Sequence, residues 1–126
     1  MTDLITAAGE EVAALLGCGY AGQEPQDKDG VPAAGLVIVE RIGGNMDAYG
    51  IGDHPWIQFT VLAQSKKVAW DRIREVRRLW AQPRVKIGDY SLLGIREVLN
   101  PEDASLTADP FYRVRTTFEF HVRGLA

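Results

Sequence analysis

Cysteine occurs once in this sequence, at Cys18, which leaves no internal disulfide and no cysteine-built zinc site. A reducing compartment suits such a chain. Histidine occurs only at His54 and His121, neither with a second histidine four residues away, so the spacing of a helical zinc motif is missing. No stretch approaches the run of about 20 apolar residues that crosses a bilayer. The start of the chain, MTDLITAAGEEVAALLGCG, carries acids where a signal peptide needs cations. A soluble, retained protein with no membrane partner is the expectation. An excess of positive charge is also missing. The formal net charge of −3 and pI near 5.3 argue against a general nucleic-acid binder, because such proteins displace counterions from phosphate with an overall basic surface.

What is present suffices for one core. With 126 residues, 46% of them hydrophobic, the chain is read as a single domain over residues 1–126. Charge is divided along it: residues 1–30 hold six acids and one base, while 65–80 hold six bases and two acids. Such segregation suits pairing within the fold or complementary surfaces between copies.

The most regular segment is the last. From Phe111 to Arg123, side chains alternate: Tyr112, Val114, Thr116, Phe118, Phe120 and Val122 on one face, Arg113, Arg115, Thr117, Glu119, His121 and Arg123 on the other. One face is expected to be core and the other wet and mostly basic. At about 3.3 Å per residue this strand spans about 40 Å, more than the roughly 35 Å breadth of a globule of this size. It either bends at a bulge or leaves its own subunit.

Other elements follow from pattern. A helix is predicted from about Asp3 to Leu16, capped by Thr2 or Asp3 and ended by Gly17. Gly17 to Ala34 reads as a long connection. Leu36–Arg41 and Trp56–Leu62 read as strands, separated by the Gly-rich loop Gly43–Pro55. Ser65 caps a second helix running to about Trp80, with Ala69, Ile73, Val76 and Trp80 forming an apolar stripe and Lys66, Lys67, Asp71, Arg74, Glu75 and Arg78 opposite. Val85–Ile87 and Tyr90–Leu99 are further strands, and Asn100–Pro110 a turn-rich loop. The fold class is α+β, a mainly antiparallel sheet of about four strands with two helices on one face.

No catalytic pattern emerges. The segment YGIGD runs through Pro55 into a strand, whereas phosphate loops open a helix. Glu102 and Asp103 follow Pro101 in a polar loop, a setting for solvated acids rather than an acid/base pair. His54 and His121 read as solvated surface histidines. The basic helix face, with Trp70 and Trp80, admits contact with phosphate and bases, yet Trp80 belongs to the apolar stripe. Trp70 beside Arg74 and Arg78 is a composition favoured at protein interfaces. No enzyme activity and no cofactor or metal is expected.

Several of these parts together resemble the tail-terminator family of tailed bacteriophages, with its related minor capsid and tail-completion proteins. They are a first strand ending in Arg41 and Gly43-Gly44, a polar loop, a strand from Pro55 to Leu62 followed by Gln64 and Ser65, a helix bearing Ala69, Ile73, Val76 and Leu79, and the closing strand FYRVRTTFEFHVRG. The resemblance covers roughly residues 1–124 in length, element order and pattern. It implies a virion tail subunit, assembled in the host cytoplasm into a homo-oligomeric ring, commonly a hexamer. Such a ring caps the tail tube, ends its polymerisation and presents a joining surface to head-completion proteins. The alternative is a neck or connector protein contacting DNA or another head-completion protein. Candidate interface residues are Arg113, Arg115, His121, Arg123, Trp70, Arg74 and Arg78. Candidates for facing the tube or the ring lumen are Gly43, Gly44, Asn45, Met46, Asp47, Tyr49 and Asp53.

Overall fold

The computed structural model describes residues 3–23, 32, 34–46, 53–105 and 111–125. Helix α1, Leu4–Leu16, begins where Asp3 Oδ1 accepts the Thr6 N–H at 2.7 Å, a bond that also holds this carboxyl below its ordinary pKa. It ends where Gly17 turns left-handed at φ 67° and its N–H reaches the Ala13 carbonyl at 2.9 Å. Strands β1 (Gly19–Ala21), β2 (Leu36–Met46) and β3 (Asp53–Ala63) follow, then helix α2 (Lys66–Ala81), whose first turn is capped by Ser65 Oγ accepting from Val68 N–H at 3.2 Å. Strands β4 (Lys86–Ile87), β5 (Tyr90–Asp103) and β6 (Tyr112–Leu125) complete the chain.

The strands form one sheet in the order β1-β2-β3-β6-β5-β4, antiparallel throughout except for the parallel β1–β2 pair. The α+β class and both helices hold. The expected sheet of about four antiparallel strands is corrected to a mixed sheet of six among the described residues. Within the long connection expected at Gly17–Ala34, Gly19–Ala21 pairs with Leu36–Ile38. Three residues carry no periodicity, and only their packing beside β2 makes them a strand.

The expected loop Gly43–Pro55 is corrected too. Gly43, Gly44, Asn45 and Met46 continue β2, and Asp53, His54 and Pro55 open β3, so the hairpin ladder extends to Met46 opposite Asp53. Asp47 and Tyr49 lie outside the described residues. Gly44 has φ 107°, and a Cβ there would stand 2.0 Å from the His54 carbonyl oxygen, so hairpin closeness demands glycine at this point. Asn100–Asp103, expected in a loop, extends β5.

The core lies under the helices. Val12 of α1 and Ile73, Val76 and Trp80 of α2 meet Val37, Val39, Ile57, Phe59, Val61, Phe118 and Phe120 of the sheet, all nearly or fully buried. At its centre Trp80 stacks edge-on against Phe120, ring centroids 5.0 Å apart, with Phe59 5.7 Å from Trp80. Each such aromatic pair adds about 0.5–1.5 kcal/mol beyond the area it buries. The long strand is paired within its own subunit: β3 and β5 flank it on either side, and the β5–β6 ladder carries several register shifts. Its inner face is core as expected from Val114 to Val122, whereas Tyr112 is exposed.

The opposite face of the sheet is not uniformly wet. Leu36, Ile38 and Leu62 make a second small buried cluster, and Thr60 and Thr117 are buried as well. Thr117, expected on the wet face, is 1% exposed.

Candidate assembly interface

Three groups of residues singled out in the sequence occupy three parts of the molecule: the open face of the sheet, the outer face of α2, and the β2–β3 hairpin. On the open face, antiparallel pairing places Trp56 of β3 and Arg96 of β5 on either side of Glu119 of β6. The Trp56 indole N–H donates to Glu119 Oε2 at 3.0 Å, and Arg96 donates through Nε to Oε1 at 2.9 Å and through Nη2 to Oε2 at 3.3 Å. The Arg96 guanidinium, then the indole, hold the Glu119 carboxyl below its usual range. His54 Nδ1 lies 4.0 Å from the same carboxylate.

His54 also stacks on His121, ring centroids 3.9 Å apart and planes 27° from parallel. The two histidines expected as separate surface groups are thus one stacked pair. The signal lay in the register, since Asp53 opposite Val122 and Trp56 opposite Glu119 bring positions 54 and 121 together. Glu119 itself was not singled out, because a lone acid in an alternating strand looks like any solvated residue.

Farther along β6, Arg115 is exposed and its Nε donates to Glu102 Oε1. Arg113 is half-buried, and its backbone N–H bonds Ser105 Oγ at 2.9 Å. Arg123 is exposed at the far end. Glu102 and Asp103 do not form an acid/base pair: the first holds Arg115, and the second accepts the Ser105 N–H, which lowers its pKa.

On α2 the basic outer face is matched locally. Asp71 joins Lys67 and Arg74, each at 2.8 Å, and Arg78 reaches Glu75 at 2.9 Å. Exposed pairs of this kind add little stability but lower the charge available to a distant phosphate. Trp70 is half-buried and packs against the main core. Between α2 and β5 runs a groove of about 530 Å³ walled by Arg74, Arg77 and Arg78 and floored by Trp80, Ile95 and Phe118. Arg77 grips Glu97 there through two bonds of 2.7 and 2.9 Å, and Thr116 donates to the same carboxylate.

At the hairpin neck, Arg41 forms a two-pronged ion pair with Asp53 at 2.9 and 3.0 Å and also donates to the Gly43 carbonyl. Asp53 was a candidate contact residue; it braces the hairpin across the bulge between Arg41 and Gly43.

Among the described residues there is no cluster of three or more His, Cys, Asp or Glu side chains able to hold a metal. No helix among them is long and apolar enough to cross a membrane. Burial raises the pKa of the Cys18 thiol, which disfavours a nucleophilic thiolate.

No known family model matches this sequence, and no curated protein matches it. Among solved structures, a chain of the virion of a native gene transfer agent particle has a similar fold. It superposes with a TM-score of 0.67 over 96% of this chain and 95% of its own length, at 18% identity.

Proposed function

We propose that this protein is a structural subunit of a phage-like virion, which assembles as a homo-oligomeric ring on the head-proximal end of a tail tube. The ring, of the hexameric kind expected from the tail-terminator resemblance, ends tube growth and offers its other side to a head-completion protein. The observation that carries this reading is the end-to-end likeness to a virion chain, 96% of one against 95% of the other. It agrees with the element order and closing strand from which the sequence resemblance came. The braced β2–β3 hairpin is the candidate arm toward tube or lumen, and the open face with Arg115, His121 and Arg123 the candidate partner surface. Assembly in the host cytoplasm and residence in the virion tail follow from this role. No chemistry is assigned to the protein.

Light scattering and negative-stain imaging of the purified chain, alone and with tube protein, test the proposal. Rings, or tubes capped at one end, are the expected outcome. A monomer that neither closes into rings nor caps tubes contradicts it. The alternative, a connector touching DNA, has weaker support because Arg74 and Arg78 already face acids on their own helix. Duplex binding that falls with salt and weakens when both arginines become glutamate would favour the alternative.

A further inference from the structure

The sheet has two rims, and both carry apolar side chains in the open. On β2, the bulge between Arg41 and Gly43 leaves Ile42 without a cross-strand partner, 44% exposed. On β5, the shift between Leu92 and Gly94 does the same to Leu93, 58% exposed, and Leu99 farther along is 49% exposed. Bulges commonly blunt a sheet edge by turning it away or presenting charge. Here the extruded residues are apolar, the opposite of edge protection.

Backbone partners are short at the same places. β1 pairs with β2 only along Leu36–Ile38, and β4 pairs with β5 only at Tyr90 and Ser91. Among the described residues no other strand covers the outer edges of Val39–Met46 or Leu93–Asp103.

We infer that the β5 rim of one copy packs head-to-tail against the β2 rim of a second copy, covering Ile42 on one side of the joint and Leu93 and Leu99 on the other. A ring selects this pairing over β5 with β5, because a two-fold contact between like rims stops at a dimer. Strand direction alternates from β2 through β3 and β6 to β5, so β2 and β5 run antiparallel, and a second copy rotated about an axis along the strands continues the alternation across the junction. The open edges also lie level across the sheet, since Arg41, Ile57, Phe118 and Glu97 share one row, so that such a rotation sets the open edge of β5 against that of β2. A heterologous contact repeated around an axis closes into a ring. The inference rests on the ring reading above and supplies its joint.

The test is complementation by light scattering and native mass measurement. Ile42→Lys blocks the β2 rim, and Leu93→Lys with Leu99→Lys blocks the β5 rim. All three positions are exposed, and circular dichroism checks that each variant is folded. Wild type is expected to form rings and each variant alone to stay monomeric. An equal mixture should give dimers and nothing larger, since each variant keeps one competent rim. Rings from wild type and from both variants would overturn the joint while leaving the ring reading intact. Dimers of Ile42→Lys alone would show a β5–β5 contact and overturn the head-to-tail form. Wild type that stays monomeric even with tube protein would remove both the joint and the ring.

Discussion

The two faces of β6 are built from the same strand at the same spacing, yet they are held in place by different physics. Toward the helices, Val114, Phe118, Phe120 and Val122 are at most 5% exposed and interlock with Phe59 and Trp80. Toward the open side, Glu119 gathers Arg96, Trp56 and His54, and Arg115 leans on Glu102. Burial on the first face is irreplaceable, because nothing in water substitutes for lost packing. The ion pairs of the second are exchangeable for water or for a partner's charges at small net cost. A face held this way is suited to being re-paired on assembly.

Substitutions that break this contrast should fall in order. Phe118→Ala should cost about 3–5 kcal/mol, read as a lower urea midpoint with little change in slope. Next comes Gly44→Val, which forces a left-handed position and a clash with the His54 carbonyl; about 1–3 kcal/mol or more of strain is expected, lowering the melting temperature. Smaller is the effect of Glu119→Gln, best seen in pH dependence. The folded pKa of Glu119 is depressed, so its contribution is present above the ordinary glutamate value of 4.5 and is lost as pH falls through the folded value. Wild type should therefore lose stability below about pH 4.5 more steeply than the glutamine variant in acid unfolding curves. Arg115→Glu should leave the monomer's unfolding curve nearly unchanged and impair assembly; an unfolded variant would mean the two faces have been assigned the wrong way round. Last, Arg78→Ala should shift stability by no more than about 0.5 kcal/mol.

Much of this was readable in advance because local chemistry decided it. Asp3, Gly17 and Ser65 fixed helix ends through caps that need no distant partner, and the period of Ala69, Ile73, Val76 and Trp80 showed which side of α2 was buried. The alternation from Val114 to Val122 gave the inner face of β6 for the same reason. Strand extent was harder. Gly43–Met46 and Asn100–Asp103 are rich in turn formers, and only pairing with β3 and β6 keeps them extended. Pro101, which reads as a break, falls in the register shift between Leu99 and Glu102, where it has no paired position on β6. The His54–His121 stack and the Glu119 hub depend on register between strands some 60 residues apart, information that no single segment contains. The outward turn of Ile42 and Leu93 was equally hidden, since both depend on where bulges fall.

Those bulges also bear on how such a sheet tolerates inherited length changes. Opposite Val114–Val122 of β6, the surplus residues at Leu93, Val98 and between Leu99 and Glu102 sit on β5, while the one surplus residue on β6, Arg123, lies beyond that stretch. A single codon gained or lost there adjusts an outer strand that is already out of step, and the core side chains of β6 keep their orientation. The same change inside β6 would swap Phe118 and Phe120 with Glu119 and His121, inverting the molecule's inside and outside in one step. Descendants of this chain should therefore vary in length along β5 and scarcely at all between Val114 and Val122.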